Sequence, residues 1–232
     1  MNEISVIIPV YNHAHTLERS LRTLARQTIV TKEVIIVNDG STDDFHEVIK
    51  KLKTTLPVKI LEQENKGANA ARNFGLQFAT GEYIIFWDAD TIARPEMLKK
   101  MLDALKNNLQ ASYAYSQYKF GWKTMRSHDF DSVLLQKMNY IDQTSLARRS
   151  DLPVNGCDTS LKRFQDWDLW LTMLANKKTG VFIPEMLYKK ITWGRKGISA
   201  WLPGFMYRLP WKSKRVKEYE SARKIIQKKH GI

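Results

Sequence analysis

Three short apolar runs, "ISVIIPV" (4–10), "KEVIIVND" (32–39) and "EYIIFWDAD" (82–90), limit what this chain can fold into. Each is β-branched-rich and apolar without alternation. That is how a strand buried on both faces reads, as in a parallel sheet covered by helices on both sides. Helical spacing fills the gaps. Leu17, Leu21 and Leu24 share a face in "YNHAHTLERSLRTLARQ", with Thr16 as N-cap; Phe45, Val48, Ile49 and Leu52 follow "GSTDD", with Ser41 as cap. "NKGANAARNFGLQFAT" presents Ala71, Phe74 and Phe78, and "VKILEQ" (58–63) is a further strand. "RPEMLKKMLDALKNN" is another helix, with Pro95 near its first turn. The alternation predicts βαβ units with right-handed crossovers, an α/β fold. The ligand crevice of such a sheet lies beyond the carboxyl ends of its strands. Asp39, Asp88 and Asp90 all fall at those ends.

Beyond Gln110 the alternation weakens. "SYAYSQYKFGWKT" reads as aromatic strands, and "FDSVLLQKMNYIDQTSLARRSDL" as a helix and then a strand. "RFQDWDLWLTML" is a helix with Trp167, Trp170, Leu171 and Leu174 on its apolar side. "TGVFIPEMLYKKI" is a strand pair, or one strand broken at Pro184. The division expected is a nucleotide-binding half (1–110), an acceptor-binding half (111–200) and a basic aromatic tail (201–232).

Charge separates that tail from the rest. The chain carries +13, of which thirteen Lys/Arg against two Glu from Lys189 onward supply +11. A nearly neutral body with a basic end points to a polyanionic partner of the tail alone. No nucleic-acid motif accompanies it, so no nucleic-acid partner is expected. Trp201, Phe205, Tyr207 and Trp211 precede a basic helix with Val216, Tyr219, Ala222 and Ile226 along one side. Interfacial aromatics followed by Lys/Arg suit an anionic membrane surface, and a solvated helix has the same composition. No apolar run approaches the roughly 20 residues of a membrane span. "MNEISVIIPVYN" has no basic leader, which gives a cytoplasmic expectation, peripheral on the inner face of the cell membrane if the tail binds lipid. One cysteine, Cys157, excludes an internal disulfide and a cysteine zinc site, and it reads as a small buried hydrophobe.

Singly, the chemical candidates are ambiguous. Asp88 and Asp90 repel unless something positive lies between them, which suits a hard divalent cation shared with phosphates; they also suit a cap. Asp39 in "NDGST" can accept a hydrogen bond from a nucleobase or ribose, or serve the turn. Arg72 is a solvated residue or a partner of phosphate or Asp39. Asp166 and Asp168 in "RFQDWDLW" offer a general base raised by aromatic burial, or acidic residues at a helix N-terminus. No glycine-rich phosphate loop follows the first strand, which argues against dehydrogenase and nucleotidyltransferase readings.

In order, "ISVIIPVYN", "EVIIVNDGSTDD", "NKGANAARNFGL", "GEYIIFWDAD" and "CDTSLKRFQDWDLWL" resemble the family 2 glycosyltransferases, inverting enzymes of the GT-A fold. The resemblance implies a Rossmann-like, mostly parallel sheet flanked by helices, with a mixed C-terminal half. It implies Mg2+ or Mn2+, a nucleoside-diphosphate sugar donor (UDP-linked by expectation), and a carbohydrate or lipid-linked glycan acceptor in bacterial-type cell-surface synthesis. Its site roles are Pro9 and Tyr11 lining the base pocket, Asp39 on the nucleobase, Arg72 near the nucleotide, Asp88 on the ribose and Asp90 on the metal. Asp166 becomes the catalytic base, and Arg195 and Lys196 in "TWGRKGIS" belong to a loop closing over the diphosphate. Gln165 stands where the family usually has Glu, an amide that hydrogen-bonds but takes no proton at neutral pH.

Overall fold

The computed structural model describes residues 3–52, 54–191, 211 and 213–232. The strands are β1 (Ile4–Val10), β2 (Glu33–Asp39), β3 (Val58–Gln63), β4 (Tyr83–Phe86), β5 (Thr91–Ala93), β6 (Ala111–Phe120), β7 (Lys123–Met125), β8 (Leu146–Arg148) and β9 (Thr179–Lys190). The helices are α1 (Ala14–Ala25), α2 (Phe45–Lys51), α3 (Ala68–Phe78), α4 (Met97–Asn107), α5 (Ser132–Lys137), α6 (Gln165–Ala175) and α7 (Lys214–His230). The described strands form one sheet in the order β3-β2-β1-β4-β8-β6-β9-β5, with β7 paired to β6. β3, β2, β1 and β4 run parallel, and so do β6 and β9. β8 enters antiparallel between β4 and β6, making the second half mixed.

Successive side chains of a strand face opposite ways, so each apolar run serves two cores. Val6, Ile8, Val34, Ile36 and Ile85 pack under Leu17, Leu21, Leu24, Met97, Met101 and Leu105. Ile7, Ile35, Val37, Ile84 and Phe86 face Ala71, Trp167, Trp170 and Leu171. The buried indoles are satisfied: Trp167 Nε1 donates to Leu135 O at 2.6 Å and Trp170 Nε1 to Ile141 O at 3.1 Å. Cys157 is buried as expected, and burial pushes its thiol up to about 11.

Four local expectations change. Thr16 lies inside the first turn of α1, where His13 occupies the cap position and receives the Thr16 hydroxyl on its carbonyl. Ser41 does not cap α2; its Oγ accepts from Asn12 N at 3.1 Å and ties together the loops after β1 and β2. α3 buries Ala71, Arg72 and Gly75 while Phe78 is exposed, because a Cβ at Gly75 would lie 2.6 Å from Ile7 Cγ2 and only glycine lets the helix sit this close. β9 is a single strand through Pro184. Its partner register passes from Ser116↔Ile183 to Gln117↔Met186, and this irregularity takes up the proline, which cannot donate to the ladder.

Candidate active site

The ends of β1 and β2, the turn after β4, helix α3 and the first turn of α6 supply the expected residues that are described, and the end of β9 adds Lys190. Asp39, at the end of β2, is 2% exposed. Its Oδ1 accepts from Gln63 Nε2 (2.6 Å) and Lys66 N (2.8 Å), and its Oδ2 from Gly67 N (2.9 Å). Asp39 therefore holds the β3–α3 loop in place. A carboxylate offers about four acceptor positions, so one remains on Oδ2. Gly40 follows at φ +70°, and a Cβ there would meet Asn65 N at 2.8 Å, so the turn beneath this loop requires glycine. Pro9 stands in β1 opposite Val37, and Tyr11, just beyond the strand, is half exposed.

Asp88 is held from two sides. Arg72 Nη2 lies 3.1 Å from Oδ1 and Lys190 Nζ 2.7 Å from Oδ2. Arg72 is buried, and its Nη1 also donates to Asn69 Oδ1 (2.9 Å) and Gln165 Oε1 (3.1 Å). It pairs with Asp88 and Gln165, not with Asp39. Lys190, at the end of β9, bridges Asp88 to Asp142 Oδ2, again at 2.7 Å. Tyr188 OH donates to Asp142 Oδ1 at 2.8 Å. Burial alone would lower the Lys190 pKa, but Asp142 and Asp88 outweigh it and hold the ammonium well above the ordinary lysine value.

Asp90 is 1% exposed; its carbonyl accepts from Ile191 N at 3.0 Å, and its carboxylate lies within electrostatic reach of Lys190. Asp166 sits in the first turn of α6 with Trp167 N on its Oδ1 at 2.9 Å. Burial of the carboxyl and then the charge of Asp142 push its pKa up, against Trp167 N–H, Lys190 and Asn139. Asp88, Asp90, Asp142 and Asp166 face two cations, Arg72 and Lys190. Among the described residues the cluster is richer in carboxylates than in cations, the kind of oxygen-rich surrounding that a hard divalent ion shares with phosphate oxygens. Among the described residues no group of three or more His, Cys, Asp or Glu could hold a metal unaided. The donor set therefore fits an ion that shares its oxygens with a phosphate ligand, and does not fit an all-protein cage.

Arg195 and Lys196 lie outside the described residues. Sequence reasoning missed Lys190 and Asp142. "LYKKI" and "NYIDQ" carry no motif; the antiparallel pairing of β9 with β5, Thr91 opposite Lys190, and the entry of β8 beside β4 bring them to the aspartates.

A curled α/β sheet with carboxylates and cations gathered at its strand ends defines the GT-A class of transferase folds. The chain belongs to glycosyl transferase family 2, whose family model matches residues 5–170. The uncharacterized glycosyltransferase YibD of Escherichia coli is 39% identical over 121 residues, 51% of this chain and 35% of that protein. The chain thus spans about a third of that relative. Among solved structures, S. aureus TarS in complex with UDP-GlcNAc aligns with a TM-score of 0.75 at 20% identity, covering 97% of this chain and 65% of that one. The mannosyltransferase PcManGT of Pyrobaculum calidifontis, solved with GDP-Man and Mn2+, gives 0.68 at 18% identity over 97% of this chain and 70% of its own.

Proposed function

We propose that this protein transfers a sugar from a nucleoside-diphosphate sugar, UDP-linked by preference, to an acceptor hydroxyl with inversion. The observation that carries the proposal is the four-carboxylate, two-cation cluster at the strand ends. In this reading Pro9, Tyr11 and the remaining Asp39 acceptor position hold the nucleobase, and Asp88 faces the ribose, its orientation fixed by Arg72 and Lys190. Asp90 would hold Mg2+ or Mn2+, which supplies positive charge against the diphosphate as the leaving group departs. Arg195 and Lys196 would add cationic charge against the diphosphate. Asp166 takes the acceptor proton; a raised pKa brings a carboxylate nearer to neutral pH, where a general base works best. One displacement on the face opposite the leaving group inverts the anomeric centre.

The acceptor in this reading is a carbohydrate or lipid-linked glycan of the cell surface, on the inner face of the membrane. Exposed Lys214, Lys217, Lys224 and Lys228 on α7 supply cationic charge toward anionic lipid, about 1 kcal/mol each near the surface. No helix among the described residues is long and apolar enough to cross a membrane. The test is a panel of sugar nucleotides assayed for hydrolysis and transfer with and without Mn2+. Metal-dependent turnover of one donor is expected. No turnover, together with no nucleoside diphosphate binding by calorimetry, would sink the reading.

A further inference from the structure

The sequence reads residues 201–232 as an appendage, yet its described helix is built into the body. Val216 and Ile226 of α7 are fully buried. The Tyr219 ring packs edge-on against Phe164, centroids 4.9 Å apart, and Arg223 Nη2 donates to Lys137 O at 3.0 Å. The strongest contacts come from the last turn. Lys229 Nζ lies 2.6 Å from Asp158 Oδ2 and 2.7 Å from Asp168 Oδ1, and His230 Nε2 lies 2.8 Å from Asp168 Oδ1. The Asp168 side chain is 4% exposed.

These contacts converge on one turn. Phe164 precedes α6 with φ +57°, an uncommon conformation for a bulky residue that persists only where its surroundings enforce it. Asp168 lies one turn along. Gln165 and Asp166 lie between the two held points. The two held points thus flank groups of the candidate site.

We propose that α7 is a strap on the catalytic turn, and that Lys229 and His230 are positioning residues for sugar transfer. The proposal rests on the transferase reading and on Asp166 as its base. Asp168 is a buried carboxylate that, among the described residues, is held by two side chains of α7, Lys229 and His230. Without them it draws water or a new partner, and the turn moves. A displacement of about 1 Å in a reacting group can cost on the order of 10²-fold in rate. The outward lysines are not involved, so positioning and any membrane contact are separable.

The test compares wild type with Lys229→Ala/His230→Ala, with Lys229→Arg, and with Lys99→Ala, an exposed lysine on α4 that controls for charge. In the double variant kcat is expected to fall about tenfold or more while the donor KM and the nucleoside diphosphate Kd stay within about twofold. Amide exchange of Trp167 and Asp168 should quicken. Lys229→Arg should keep most of the activity, and Lys99→Ala all of it. Unchanged kcat and exchange would overturn the inference, as would a parallel loss of donor affinity, which signals general loosening. If wild type turns over no donor, the transferase reading fails first, and unchanged amide exchange in the double variant then refutes the strap by itself.

Discussion

Replacing Lys190 by methionine removes a cation whose side chain is 6% exposed and which touches two carboxylates at 2.7 Å each. Methionine is unbranched and adaptable, so the packing cost is small. The charge cost is not. Removing one partner of a buried ion pair typically destabilises by about 3–5 kcal/mol. The lower end applies here, because each carboxylate keeps a partner: Asp88 keeps Arg72 at 3.1 Å, and Asp142 keeps Tyr188 OH at 2.8 Å and Thr144 N at 2.9 Å. About 3 kcal/mol in a chain of this size lowers Tm by roughly 6–12 °C. The Lys190 pKa is raised, so its stabilisation is fully present below the unfolded lysine value of about 10.4 and is lost only as pH rises through the folded value. Between about pH 6 and 9 the penalty should therefore be flat. The assay is scanning calorimetry at three pH values, repeated in Asp142→Asn and in the double variant. With Asp142→Asn in place, loss of the ammonium breaks one charge pair instead of two, so the variants should couple by about 1 kcal/mol or more. A Tm drop below about 2 °C, or additivity, would refute the electrostatic account of this residue.

Asp166→Asn should reduce transfer by about 10²–10⁴-fold with the nucleoside diphosphate Kd within about twofold; lost affinity by calorimetry would move Asp166 to the donor site. The same variant should be no less stable than wild type near pH 7. A carboxyl whose folded pKa is raised destabilises the protein above that pKa, and asparagine removes the charge; a falling Tm in scanning calorimetry would contradict the burial argument. For the same reason the acid limb of the kcat/KM–pH profile should lie above about 3.9, the ordinary aspartate value. Gly40→Ala forces a side chain at φ +70° against Asn65 N, costing about 1–3 kcal/mol in Tm measurements and weakening nucleotide binding through the loop that Asp39 holds; unchanged Tm and Kd would remove the strain argument. Gln165→Glu adds a charge beside Arg72 and should weaken nucleoside diphosphate binding several-fold, read by calorimetry at fixed Mn2+; tighter binding would refute it.

The first half of the fold was legible because its physics is local. Strands covered on both faces read as apolar runs, and Ile4–Val10, Glu33–Asp39 and Tyr83–Phe86 lie where the sequence places them. Asp39, Asp88 and Asp90 follow from topology, since Asp39 ends a parallel strand and the other two lie in the turn after one. Lys190 and Asp142 were illegible because they depend on β9 pairing antiparallel with β5 and on β8 entering beside β4, and no short-range pattern encodes partners so distant in sequence. Arg72 was placed near the strand ends, but its pairing was not, because Gly75 rather than the phenylalanines sets how close α3 lies to the sheet. The last helix misled for a different reason. Its overall charge resembles a solvated tail, while its docking depends on two buried aliphatics and a final Lys-His pair.

Gln165 clarifies the division of labour between the two acids of "DAD". Glutamine accepts one hydrogen bond from Arg72 at 3.1 Å without adding charge, so the guanidinium keeps its ionic pairing for Asp88. Lys190 takes the other oxygen of Asp88. A carboxylate held on both oxygens by protein cations is poorly suited to bind a metal, since an incoming divalent ion would have to displace a buried guanidinium or ammonium. It is well suited to present a fixed acceptor edge to a hydroxyl. Asp90, two residues on, is buried, and its carboxylate lies within electrostatic reach of Lys190. The neutral residue at 165 and the lysine at 190 thus give the two aspartates different surroundings; in the proposed transfer Asp88 would meet a sugar hydroxyl and Asp90 a divalent cation.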